Sequence, residues 1–190
     1  TMNFYDDLEE YRNAPALVSE QQEVLTYSDL VSAADDLLRH FSEKKCLVLL
    51  LGENCPELIT GYIGCLRAGA VPLLIGTGTM PEVVTELVAV YKPEYLWLPV
   101  EKISSAEWGR EVHRSGTYVL LRTDHETEEP LHEDLALLLT TSGTTGSPML
   151  VRLSYRNIVS NAAAIAELLC IEHTDRPITA LPINYTFGLS

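Results

Sequence analysis

The sequence predicts an α/β fold, a doubly wound and mostly parallel sheet flanked by helices. Apolar runs at Cys46–Leu51, Ala70–Ile75 and Tyr95–Leu98 lack alternation, as strands covered on both faces do. Between them lie stretches whose apolar residues recur at helical spacing. That repeated order of strand and helix calls for parallel strands joined by right-handed crossovers.

The elements follow in chain order. Residues 1–14 are polar and mixed, an irregular or helical entry. Ala16–Val18 and Val24–Thr26 flank Ser19–Glu23 and read as a small hairpin. Thr26 then caps a helix, with Asp29 three residues on and Leu25 and Leu30 placed as a hydrophobic staple. Leu30, Ala34, Leu37, Leu38 and Phe41 form its apolar face. After the strand at Cys46–Leu51, Asn54 and Glu57 bracket a second helix start with Pro56 in the first turn. Leu58, Ile59, Tyr62, Ile63 and Leu66 line one side of that helix, and Gly69 stops it. Pro72 removes a ladder donor and so belongs near the start of the next strand.

Gly76-Thr77-Gly78-Thr79 follows that strand, but position 81 is Pro, so the third glycine of a dinucleotide fingerprint is absent. A dinucleotide-binding oxidoreductase therefore lacks its motif, and turn geometry is the simpler reading. Thr79 and Glu82 bracket a third helix, with Val83, Val84, Leu87, Val88 and Tyr91 as its apolar face and Pro93 beyond its end. Ser104–Val112 reads as a short helix and Thr117–Leu121 as a strand. The acidic run Asp124–Glu129 is a solvated connection. Ser154 caps a last helix with Ile158, Ala162, Ile165 and Leu169 on one face, and Ile178–Leu181 reads as one more strand.

Composition narrows the function. A net charge of −14 repels nucleic acid and anionic lipid alike. No apolar run approaches the ~20 residues of a membrane-spanning helix. The start Thr1-Met2-Asn3-Phe4 lacks the pattern of a secretion signal, so a cytoplasmic location is expected. Cys46, Cys55, Cys65 and Cys170 form no C-x-x-C pair and read as small buried thiols, and the histidines show no H-E-x-x-H spacing. No protein metal site is expected from these residues.

One stretch carries chemistry. The apolar run Leu135–Leu139 ends abruptly in Thr140, Thr141, Ser142, Gly143, Thr144, Thr145, Gly146 and Ser147. Glycines let the backbone approach a ligand and aim its N–H groups at one point, and the hydroxyls add donors around the same anion. A buried strand directly before the bend, and a second strand at Met149–Leu153 after it, set it apart from an ordinary solvated loop. It is not a Walker P-loop, which needs a Lys after the second glycine and opens a helix. Arg152 and Arg156 are nearby cations for a phosphate ligand.

Thr141-Ser142-Gly143-Thr144-Thr145-Gly146-Ser147-Pro148 resembles the signature loop of the adenylate-forming enzymes: acyl-CoA synthetases, peptide-synthetase adenylation domains and luciferases. Pro15–Val18 with Leu25–Leu30, Leu66–Pro72 and Leu181–Leu189 resemble further motifs of that family, in the same order. The resemblance implies that residues 1–190 are the N-terminal part of a large AMP-binding domain, with the rest of that domain and a C-terminal lid bearing the catalytic lysine beyond Ser190. It implies an AMP-forming acid–thiol ligase that takes ATP and Mg²⁺, activates a small carboxylic or amino acid, and passes the acyl group to CoA or to the phosphopantetheine of an acyl carrier protein. Residues 1–190 alone are then expected to be inactive. Thr141, Ser142, Gly143, Thr144, Thr145 and Gly146 would hold the phosphates.

Tyr185 would line the acid pocket, where the family has a His or another aromatic; from the residues alone, an aromatic packed under a loop is an equal reading. Met149 stands where the family has a Lys or Arg. That departure leaves open a second class of function, a degenerate relative that acts as a non-catalytic binding or interaction module.

Overall fold

The computed structural model describes residues 3–103, 108–140 and 150–189. A two-stranded hairpin, β1 (Pro15–Val18) and β2 (Val24–Thr26), precedes α1 (Tyr27–Leu38). The capping box forms as expected: the Thr26 hydroxyl accepts the Asp29 N–H, and the Asp29 carboxylate accepts the Thr26 N–H at 3.0 Å. From there the chain builds one seven-stranded sheet. Its strands are β3 (Leu47–Leu51), β4 (Val71–Ile75), β5 (Tyr95–Pro99), β6 (Arg110–Ser115), β7 (Tyr118–Arg122), β8 (Leu135–Thr140) and β9 (Leu150–Ser154). They lie side by side in the order β6-β7-β5-β3-β4-β8-β9.

The centre is parallel: β5, β3, β4 and β8 pair in one direction, with Leu49 opposite both Leu73 and Leu96. The chain leaves β3 through α2 (Pro56–Arg67) to reach β4, then returns through α3 (Pro81–Tyr91) to β5 on the far side of β3. Two crossovers of the same hand running in opposite directions put their helices on opposite faces. Side-chain packing follows suit. Leu58, Tyr62, Ile63 and Leu66 of α2 pack with Val48 and Leu50 on one face, while Val84, Leu87 and Val88 of α3 pack with Leu47, Leu49 and Leu51 on the other.

Both margins of the sheet turn antiparallel. The expected helix at Ser104–Val112 is not what the described part of that stretch forms, because Arg110–Ser115 is strand β6; residues 104–107 lie outside the described residues. A parallel strand needs a crossover of a dozen or more residues, whereas Ser115 pairs with Tyr118 across only Gly116 and Thr117, a tight hairpin. Gly116 meets the left-handed requirement of that turn with φ +55°. β7 then runs antiparallel to β5, and β9 runs antiparallel to β8.

Two expected helix caps differ as well. The N-cap position of α2 is Cys55 and that of α3 is Met80, each followed by Pro and neither with a side-chain cap bond, so Asn54 and Thr79 are not the caps. Pro at the first helical position supplies the start in both cases, with its φ already helical. Ser154 does cap α4 (Tyr155–Leu168), through a reciprocal box with Asn157. Ile178–Leu181 forms no strand. β4 and β8 already fill each other's edges, so no partner ladder is free for it there, and Ile178 is 90% exposed.

The core includes Gly61 in mid-helix. A Cβ there would come within 2.7 Å of the Trp97 indole nitrogen. Trp97 is only 1% exposed, and its N–H donates to the Glu57 carbonyl at 2.8 Å, so the glycine makes room for a fixed ring. Cys46 and Cys65 are buried free thiols, as expected, and burial raises the Cys46 thiol to about 11. Cys170 is exposed instead. Among the described residues no helix is long and apolar enough to cross a membrane.

Candidate functional site

In an open parallel sheet, ligands bind outside the carboxyl ends of the strands, where neighbouring connections leave toward opposite faces. Here that place is the crevice between β3 and β4. Gly52–Cys55 leaves β3 toward α2, and Gly76–Met80 leaves β4 toward α3. The two turns are tied together by a hydrogen bond from the Thr77 hydroxyl to the Glu53 carboxylate. Lys102, just past the end of β5, donates from Nζ to the Thr77 carbonyl at 3.2 Å.

β8 ends on the same edge, beside β4, with Leu73 opposite Leu138 and Leu74 opposite Leu139. Ala136–Leu139 are buried, which makes β8 the rigid mount expected of it. Thr140 pairs with Leu150 as the chain returns in β9. A strand antiparallel to β8, and not a helix, therefore follows the hydroxyl- and glycine-rich stretch in the chain. Thr141, Ser142, Gly143, Thr144, Thr145 and Gly146 themselves lie outside the described residues, as does Met149. Arg152 and Arg156, the expected cations, are both exposed.

Leu181–Tyr185 enters the crevice from the end of the chain. Ile183 is buried in the core, and Asn184 is buried against Gly76, where a Cβ would meet its amide nitrogen at 3.2 Å. Tyr185 emerges half-exposed at 49%, with its N–H donating to the Pro182 carbonyl at 3.1 Å. Its carbonyl accepts from the Gly188 N–H at the start of the short helix α5 (Thr186–Leu189). The ring is thus not packed away beneath a loop.

Asn54, Asn184 and the Glu53–Thr77 pair escaped the sequence reading. Asn54 precedes Cys-Pro and lies three residues before Glu57, so the cap pattern absorbed it. Its position directly after a buried strand was the available signal, since the loops at strand ends are where ligand-binding side chains gather.

Beside the crevice, Cys55 donates to the Tyr118 hydroxyl at 3.4 Å. Burial raises the pKa of both groups, so neither ionises near neutrality. The edge therefore carries the Glu53 carboxylate and the Lys102 ammonium among neutral hydroxyl and thiol groups, and its protonated Cys55 thiol is not poised for nucleophilic attack. No cluster of three or more His, Cys, Asp or Glu side chains that could hold a metal occurs among the described residues.

Residues 4–190 match the AMP-binding enzyme family, and the chain belongs to that family of adenylate-forming enzymes. It is similar to bacitracin synthase 2 of Bacillus licheniformis, 30% identical over 162 residues that cover 82% of this chain and 6% of that protein. It is also similar to the D-alanine--D-alanyl carrier protein ligase of Staphylococcus haemolyticus, 20% identical over 99% of this chain and 39% of that one. Its fold matches O-succinylbenzoate coenzyme A synthetase of Bacillus subtilis in complex with ATP and magnesium ion, with a TM-score of 0.75 and 20% identity. That match covers 99% of this chain and 53% of the synthetase, so the chain spans about half the length of a relative with the same fold.

Proposed function

We propose that residues 1–190 form the N-terminal part of the large domain of an AMP-forming ligase. The protein would activate a small carboxylic or amino acid with ATP to an acyl adenylate and pyrophosphate, then transfer the acyl group to the thiol of CoA or of carrier-protein phosphopantetheine. One observation carries the reading: the buried strand β8, parallel to β4, ends with Thr140 at the carboxyl edge of the sheet beside the crevice between β3 and β4, and Thr141–Gly146 follow it directly in the sequence. Family membership and relatives of both acceptor kinds support it.

The chemical difficulty is charge repulsion. A carboxylate must approach the α-phosphate of a polyanion, so the β- and γ-phosphates have to be held still while charge develops on the departing pyrophosphate. When bound, Mg²⁺ supplies counter-charge to those phosphates, and it commonly relies on phosphate oxygens, water and one or two carboxylates. Thr141, Ser142, Thr144 and Thr145 would donate hydroxyls to the phosphate oxygens, with backbone N–H groups at Gly143 and Gly146 alongside. Tyr185 would form a wall of the acid pocket. The acid's own carboxylate attacks, so no side-chain nucleophile is needed and the neutral Cys55 thiol is no obstacle. The catalytic lysine and lid of this reading lie beyond Ser190, and residues 1–190 by themselves would not turn over.

Acid-dependent ATP–pyrophosphate exchange by the whole protein tests the reading. Exchange with at least one member of a broad panel of carboxylic and amino acids is the expected result. Nucleotide or acid binding without exchange would favour the non-catalytic alternative, which Met149 keeps in play.

A further inference from the structure

Asn54 directs its whole side chain at one distant stretch of backbone. Its Nδ2 donates to the Thr179 carbonyl at 3.2 Å and to the Leu181 carbonyl at 2.8 Å, while its Oδ1 accepts the Ile183 N–H at 2.9 Å. An asparagine side chain presents two N–H donors and a carbonyl acceptor, and here both ends are used on a single segment. Donors and an acceptor spaced along an extended chain are what a neighbouring strand would offer. Residues 179–183 have no such neighbour, since they belong to no sheet among the described residues. The amide stands in for it.

The alternative role for Asn54, capping α2, is closed: the cap position is Cys55, and no side chain bonds the first turn. What the amide holds is also specific. Ile183 and Asn184 are the buried anchors of the segment, one in the core and the other against Gly76, and Tyr185 follows them directly. Fixing the Ile183 N–H from the loop after β3 therefore fixes the point from which Tyr185 leaves the crevice.

We propose that Asn54 is a positioning residue for the acid pocket, holding 179–183 at the crevice so that Tyr185 presents its ring at a fixed place. This rests on the reading of Tyr185 as a pocket wall. Asn54 is itself exposed, so water competes for its bonds and the latch belongs to the less stable part of the fold. Its loss should loosen the segment without unfolding the sheet.

The test uses the whole protein and the variants Asn54→Ala and Asn54→Asp. In Asn54→Ala, amide hydrogen exchange in 179–185 is expected to speed up by about tenfold, with β3 and β4 unchanged. The KM for the acid is expected to rise by about tenfold while that for MgATP stays within about twofold. Asn54→Asp keeps an acceptor for the Ile183 N–H but loses both donors, so Ile183 should stay protected while the acid KM rises to an intermediate value. Unchanged exchange in Asn54→Ala would overturn the latch. Faster exchange with an unchanged acid KM would overturn positioning. Should the wild type turn over no acid, the ligase reading fails separately, and the rate of Tyr185 nitration by tetranitromethane decides for the latch. A severalfold change in Asn54→Ala supports it, and an unchanged rate overturns it.

Discussion

At the centre of the sheet, β3, β4 and β5 keep every residue out of water, whereas α4 and the stretch beyond it leave Leu168, Leu169, Ile171 and Ile178 in it. The two regions differ in apolar density and in what holds them. Burial on both faces holds the centre, where each large side chain contributes on the order of 1.5–3 kcal/mol. The stretch from Thr179 to Tyr185 depends instead on two buried anchors and one exposed amide. Rigidity is concentrated under the candidate site, and adjustable contacts lie around its rim. Changes at the centre should therefore alter stability, and changes at the rim should alter activity.

The largest expected contrast is between Leu50→Ala and Ile178→Ala. Leu50 is wholly buried, and its truncation should cost about 2–5 kcal/mol in denaturant unfolding. Ile178→Ala should stay within about 0.5 kcal/mol. Equal losses would break the comparison. A second pair sharpens it in the opposite steric sense. Gly61→Ala pushes a methyl group into Trp97 and should cost about 1–3 kcal/mol by the same measurement, while Gly78→Ala, with open space around it, should cost far less.

Under the proposed function, Met149→Lys would supply the cation that the family resemblance implies at this position. A charge-assisted contact is worth about 1.5–3 kcal/mol, so the acid-dependent exchange rate of the whole protein should rise by roughly ten- to a hundredfold. Its unfolding free energy should move by less than about 0.5 kcal/mol. A stability change without a rate change would reverse the assignment of the two regions.

The smallest effect is pH dependence on the acidic side. Burial disfavours the Glu94 carboxylate, but the Thr127 N–H, the Ser42 hydroxyl and the Arg122 guanidinium together hold its pKa below the usual 4.5. Its contribution to stability is complete above pH 4.5 and is lost as pH falls through the lower folded value. The melting temperature should therefore drop more steeply between about pH 5 and pH 3 in the wild type than in Glu94→Gln. Parallel slopes would show that Glu94 is not a source of the acid sensitivity.

Most of the centre was legible because continuous apolar runs and helical periodicity both report burial, the dominant force there. Gly69 and the Thr26 and Ser154 caps were legible too, since each acts through local geometry. β7 was legible as the strand expected at Thr117–Leu121, but its antiparallel partner β6 was not, because Arg110, Glu111 and Arg114 hide an edge strand that is only half covered. Ile178–Leu181 misled for the opposite reason: its composition suits a strand, but a strand also needs a free neighbour. At the site, β8 was readable from its continuous apolar run. The Asn54 contacts span some 125 to 129 residues of sequence and leave no local pattern.

The central claim is that the bend after β8 cradles the triphosphate. Amide hydrogen exchange of the 141–149 peptide in the whole protein, with and without saturating MgATP, tests it most directly. Marked slowing in that peptide, with the α4 peptides unchanged, is the predicted result. Bound MgATP that leaves exchange across 141–149 unaltered would contradict it.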